Sequence, residues 1–255
     1  MSLSVTGLTF AYGRKPVLHD VEISDLAAGQ VTALIGPNAA GKSTLFRCIA
    51  GLLKARVGTV TLDGKDLGKL RHAERVRRIC YMPQLFSANA ALSVFDVVLL
   101  ARKSLHGWRV EQADIDSVSS VLKELRLGHM AKAHVGELSG GQQQMVSIAQ
   151  AFVREPKVFL FDEPTSALDL RRQLEVMTII RETAVAKQAV VVVALHDLNL
   201  AARFADNLLL MREGCIMRHG PPAQVLADDA VSQTYGVSLD LVTSPEGNIH
   251  VSANL

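Results

Sequence analysis

"VTALIGPNAAGKST", residues 31–44, decides the fold of this chain. A short apolar run reads as a buried strand, and it ends in a glycine-rich turn. Gly36, Gly41, Lys42 and Ser43 match G-x-x-x-x-G-K-[S/T], directly after the strand and opening a helix. Free backbone N–H groups in such a loop can wrap a triphosphate, and the helix start adds positive potential. The stretch Gly36, Pro37, Asn38, Ala39, Ala40, Gly41, Lys42, Ser43 and Thr44 is therefore a nucleotide site. Lys42 reaches the β- and γ-phosphates, and the Ser43 hydroxyl ligates Mg²⁺. The helix that follows places Leu45, Ile49, Leu52 and Leu53 on one side.

Further along, "KVFLFDEP" and "AVVVVALHD" have the form of buried parallel strands, with the helical "RRQLEVMTIIRETAVAK" between them. The first of these strands delivers Asp162 to its carboxyl end, where open α/β sheets bind ligands. Asp162 would hold Mg²⁺ through water, and Glu163 could orient and deprotonate an attacking water. Taken alone, the acidic pair could equally cap the next helix.

Upstream, "LSVTGLTFAYG", "VEISDLAAGQVTALIG" and "GTVTLDG" read as strands. From about residue 85 to 156 the chain reads as helical, with Gly107 and Gly128 near the breaks. The last segment reads as a short helix and then a hairpin turning at Pro245–Asn248. Within the helical region lies "ELSGGQQQ", residues 137–144. Ser139 and Gln142 form a Ser-x-x-Gln capping box, and Met145, Ile148, Ala149, Phe152 and Val153 recur at helical spacing. Gly140 and Gly141 weaken that helix by roughly 1 kcal/mol each, but leave bare N–H groups where an anion can approach.

Bulk properties exclude several classes. A net charge of +2 is too weak to point to nucleic acid or anionic lipid. Cys48, Cys80 and Cys215 are odd in number and far apart, which suits buried free thiols in a reducing compartment. The chain begins as an alternating strand and not as a secretory signal. Its longest apolar run, "AVVVVAL" at 189–195, is far short of the roughly 18 residues that span a bilayer.

"GPNAAGKST", "LSGGQQQ" and "LFDEPTSALD", in this order and spacing, resemble the ATP-binding cassette (ABC) family over nearly the whole chain. The resemblance implies an α/β P-loop NTPase core, a mostly parallel sheet flanked by helices. To it are added an N-terminal antiparallel β subdomain and an inserted α-helical subdomain. The expected organisation is one cassette over 1–255: residues 1–84 and 157–225 form the nucleotide-binding core with the β subdomain, 85–156 the helical signature subdomain, and 226–255 a tail. By position, Tyr12 resembles the aromatic that stacks on adenine, and Gln84 the glutamine that contacts Mg²⁺ and the water. His196 resembles the switch histidine that contacts the γ-phosphate, and Asp169 belongs to the loop between the family's two nucleotide sites. Metal contacts are thus expected from Ser43, Gln84 and Asp162, and catalysis from Glu163 and His196. Two cassettes pair head to tail in this family, so Ser139, Gly140, Gly141 and Gln142 would bind the γ-phosphate held by a second copy. Two departures stand out: Ala39 replaces a usual glycine, and Met145 replaces a common basic residue.

The resemblance also implies an ATPase at the cytoplasmic face of the inner (plasma) membrane, driving separate transmembrane permease subunits and, through them, a substrate-binding protein. "LLARKSLHGWRV" offers apolar and basic groups to such a partner, with Trp108 either among them or in the core of the helical layer. "YMPQ", "LHDLNLAARFAD" and "QTYGVSLDLV" look most like importers of iron–siderophore, haem or cobalamin. A soluble cassette of the iron–sulfur assembly type and an exporter cassette are the alternatives. DNA-repair and ribosome types fit poorly, because there is no long coiled coil and only one cassette.

Overall fold

The computed structural model describes residues 1–84, 91–107, 109–244 and 249–254. The chain opens with β1 (Ser2–Tyr12), β2 (Lys15–Ala27) and β3 (Val31–Ile35), followed by α1 (Lys42–Ala50). Next come β4 (Val57–Leu62), β5 (Lys65–Asp66), α2 (His72–Arg78) and β6 (Ile79–Met82). The helical stretch holds α3 (Val94–His106), α4 (Gln112–Glu124) and α5 (Gly140–Phe152). It returns through β7 (Val158–Asp162), α6 (Leu170–Lys187), β8 (Val190–Ala194), α7 (Leu198–Phe204), β9 (Asn207–Arg212) and β10 (Cys215–Gly220). The chain closes with α8 (Pro222–Leu226), α9 (Asp229–Tyr235), β11 (Ser238–Thr243) and β12 (Ile249–Asn254).

Six strands form the central sheet in the order β10-β9-β3-β8-β7-β6. Every pairing from β9 to β6 is parallel, and only β10 runs antiparallel, on the edge. All five residues of β3, of β7 and of β8 are buried. Their side chains alternate between two cores, as period two requires. Ala33, Ile35, Phe159, Phe161, Val191 and Val193 face the core built with α5, α6 and α7. Leu34, Val158, Leu160, Val190 and Val192 face α1 and the N-terminal strands. Those strands make a separate antiparallel sheet in the order β2-β1-β4-β5. This is the mostly parallel, helix-flanked sheet with an antiparallel β unit that the resemblance implies.

Three local readings are corrected. The helix after the phosphate loop stops at Ala50, because Gly51 adopts a left-handed φ of 78° and returns its N–H to the Arg47 and Cys48 carbonyls. Leu53 packs on the core after the helix has ended, and Leu52 is 55 % exposed, so neither extends the apolar stripe of α1. The region read as helical throughout also contains two single 3-10 turns, Gly128–Met130 and Val135–Glu137. Its basic residues do not all face outward. Lys103 is 5 % exposed and Arg102 half-buried, and their side chains meet Asp114 of α4 at 2.7 and 2.9 Å. The two cations, with the Glu111 backbone N–H, hold the Asp114 carboxyl well below the usual carboxylate range. Among the described residues, α3 exposes Asp96, Leu100 and Ser104, with Leu100 at 44 % exposure. Trp108 lies outside the described residues.

Cys48 and Cys80 are buried, Cys215 half-buried, and all three are free thiols. Burial pushes the Cys48 thiol up to about 11 and raises Cys80 as well, so both are poor nucleophiles. At the C-terminus β11 and β12 pair antiparallel, and the turn expected at Pro245–Asn248 falls outside the described residues. Leu239, Leu241, Ile249 and Val251 pack on the core that includes α7, and the Asn199 carboxamide donates to the Val251 carbonyl at 3.2 Å and accepts from the Val251 N–H at 2.8 Å.

Candidate active site

Four parallel strands end side by side, and each hands over a polar group within two residues of its end. Gln84 follows β6, Glu163 follows β7, His196 follows β8, and Gly36 follows β3. This is the carboxyl edge where α/β sheets bind ligands. A cavity of about 750 Å³ opens there, within the size range of nucleotide and other small-molecule sites. Asn38 to Thr44 floor it, Tyr12 stands at one side, and Gln84, Glu163 and His196 stand at the other.

The phosphate loop is shaped by three residues with positive φ. Gly36 takes φ 150°, and a Cβ there would lie 2.2 Å from the Met211 carbonyl oxygen, so only glycine fits. Gly41 takes φ 108° as the N-cap of α1 and makes no side-chain cap, which leaves the first helical amides bare. Ala39 takes φ 63°, the left-handed region. Alanine is strained there by about 1–2 kcal/mol, against roughly 0.5–1 kcal/mol of extra unfolded-state entropy for glycine. Ala39→Gly is therefore expected to stabilise the fold by about 0.5–1 kcal/mol, raising Tm by about 1–4 °C in thermal unfolding. A lower Tm would show that this φ is not strained.

Lys42 lies within the loop it serves. Its ammonium donates to the Gly36 and Pro37 carbonyls at 2.6 and 3.0 Å, and the residue is 6 % exposed. Burial lowers its pKa, while Glu163 and Asp162 pull it back up. Asp162, 2 % exposed, accepts from the Tyr81 hydroxyl at 3.0 Å through one oxygen. Burial pushes Tyr81 up to about 12, so it stays a neutral donor. The other Asp162 oxygen is buried and has no partner among the described residues. Such an orphaned carboxylate oxygen fits a divalent cation completed by phosphate oxygens and water. No group of three or more His, Cys, Asp or Glu that could hold a metal exists among the described residues. A cation here would therefore lean on the substrate, in the manner of Mg²⁺.

Glu163 is held on every side. Its carboxylate accepts from Gln84 Nε2 at 2.5 Å and meets His196 Nε2. Its backbone N–H donates to the Ala194 carbonyl at 3.2 Å. Its φ of 54° is left-handed, and it precedes Pro164, which restricts it further. Tyr12 is 45 % exposed at the cavity wall, its ring perpendicular to that of Phe10 with centroids 4.8 Å apart.

Ser139, Gly140, Gly141 and Gln142 are not brought to this cavity. Ser139, Gly141 and Gln142 line another, of about 520 Å³, together with Arg126, His129, Asp169 and Arg172. The capping box forms: Ser139 Oγ accepts from the Gln142 N–H at 3.4 Å, and Gln142 Oε1 accepts from the Ser139 N–H at 2.8 Å. Asp169 caps α6 through the Arg172 N–H. The two glycines differ in kind. A Cβ at Gly141 would meet the Ala167 carbonyl at 3.2 Å, whereas one at Gly140 would meet nothing within 4 Å. Packing accounts for the first, and an open helix start remains at the second.

Sequence reasoning missed Tyr81 on Asp162, and it missed the two other glutamines. Gln143 donates to the Val135 and Leu138 carbonyls and so staples the loop before α5. Gln144, 3 % exposed, donates to the Glu163 carbonyl at 3.3 Å. The available signal was a polar residue four before Ile148, on the buried side of an amphipathic helix.

Comparison with known proteins agrees with this geometry. The profile of the ABC transporter family matches residues 18–166. An uncharacterized ABC transporter ATP-binding protein of Methanocaldococcus jannaschii is 40 % identical, over 93 % of this chain and 92 % of its own. A hemin import ATP-binding protein of Roseobacter denitrificans is 38 % identical, over 96 % of this chain and 94 % of its own. Among solved structures, a transporter described as of the metal-chelate type, in an inward-facing conformation, superposes with a TM-score of 0.84 at 28 % identity, over 100 % of this chain and 98 % of that one. The chain belongs to the ABC transporter family.

Proposed function

We propose that this chain is the ATP-hydrolysing subunit of an importer for an iron chelate, a siderophore or haem, or for the related metal chelate cobalamin. The observation that carries the chemistry is the Glu163 carboxylate, gripped by Gln84 and His196 at the wall of a cavity floored by the phosphate loop. Residues 36–44 wrap the triphosphate and Tyr12 stacks on adenine. Ser43, Asp162 and Gln84 would hold Mg²⁺, which when bound would supply positive charge to the β- and γ-phosphates. Glu163 takes a proton from the water that attacks the γ-phosphorus, while the bond to the ADP oxygen breaks. His196 steadies the γ-phosphate. Residues 1–84 and 157–225 act as the core, 85–156 as the signature subdomain and 226–255 as a tail.

Ser139, Gly141 and Gln142 line a cavity apart from the one floored by the phosphate loop, which supports their acting on another chain's nucleotide. They close over the ATP of a second copy in a head-to-tail pair. Among the described residues no helix is long and apolar enough to cross a membrane, so the cargo path belongs to permease partners, served from the cytoplasmic face. A hemin import relative and a metal-chelate type neighbour support the cargo class. The test is uptake of labelled ferric siderophore, haem and cobalamin in cells lacking this chain. One uptake is expected to fail and to return with wild type but not with Glu163→Gln. If all three persist and the native complex holds no polytopic partner, the soluble alternative replaces this reading.

A further inference from the structure

We infer that Gln144 is a positioning residue for Glu163, and that it ties the signature helix to the catalytic base within one chain. The inference rests on Glu163 being the base. Glu163 stands in a backbone conformation that residues other than glycine, especially before proline, rarely hold. Such a conformation persists only where its surroundings over-determine it. Its carbonyl accepts from Ser166 Oγ at 3.1 Å and from the buried Gln144 Nε2 at 3.3 Å. Ser166 belongs to the same turn, so it cannot orient that turn against the rest of the molecule. Gln144 can, because it comes from α5. A second contact seats the same helix on the same turn: the Gly141 backbone lies so close to the Ala167 carbonyl that a Cβ would stand 3.2 Å away. The signature helix thus grips the peptide that aims this chain's base. Rotation of that peptide would swing the carboxylate away from Gln84 and His196.

Gln144→Leu keeps the bulk and removes the donor. With the full-length chain and Mg-ATP, kcat is expected to fall roughly 10- to 100-fold, the scale for misplacing a reacting group by about 1 Å. KM for ATP should stay within twofold. In a Glu163→Gln background the same substitution should leave the residual single-turnover rate unchanged, since no base remains to aim. A kcat within twofold of wild type would overturn the inference. So would an equal loss in both backgrounds, which marks a purely structural residue. If Gln144→Leu does not fold, Gln144→Met carries the same readouts. Wild type and Glu163→Gln hydrolysing at equal rates would remove the base assignment itself, whereas an inactive Glu163→Gln beside a normal Gln144→Leu would remove only this inference.

Discussion

Glu163→Gln is expected to bind ATP as tightly as wild type, to turn it over about 10²- to 10⁴-fold more slowly, and to accumulate as an ATP-bound dimer. The size of the loss follows from what the change removes. Glutamine keeps the volume and one acceptor oxygen, so Gln84 can still donate to it. Its NH₂ can donate to an unprotonated His196 Nε2, so the His196 contact can survive with the proton reversed. The backbone contacts, to Ala194, Gln144 and Ser166, do not involve the side chain at all. What disappears is the only feature that matters to the water, a group able to take its proton. The phosphate-loop backbone contacts lie elsewhere, and Lys42 loses the upward pull of Glu163 but keeps that of Asp162. Steady-state phosphate release and size-exclusion chromatography with Mg-ATP measure both halves. Turnover close to that of wild type would reject Glu163 as the base.

The second large effect concerns two substitutions that are each inactive alone. Lys42→Ala removes the ammonium that bridges the Gly36 and Pro37 carbonyls and that, on the proposed reading, would meet the phosphates. Ser139→Arg removes the cap of α5 and fills its open start with a bulky cation. If phosphate loop and signature act on one nucleotide from two chains, a mixed pair has one site carrying both lesions and one carrying neither. Equal mixing of a two-fold pair should then recover up to about a quarter of wild-type turnover. Mixed pairs that form yet recover nothing would reject independent composite sites.

Much of this was legible in the sequence, for local reasons. The spacing of Gly36, Gly41, Lys42 and Ser43 leaves few backbone conformations open, and the β-branched runs of β7 and β8 admit little besides buried strands. Ser139 and Gln142 are three residues apart, so their capping box is written in the chain. The misreadings share a long-range cause. Lys103 looked like a surface cation because its partner, Asp114, arrives on the next helix. α1 looked longer because the apolar spacing runs on past Gly51, where a left-handed residue ends the helix. Gln144 and Tyr81 took their roles from strands and turns brought to them by the fold, at separations no periodicity can report.

The full burial of β3, β7 and β8 has a consequence for how the site survives its own work. Amides in a sheet closed on both faces exchange with solvent only when the whole domain opens, whereas turns at the strand ends can open at far lower free energy. The chemistry sits on the turns and its anchorage on the strands. The turns can loosen and re-form at every turnover while the strands beneath them stay shut, so repeated local opening need not lead to unfolding.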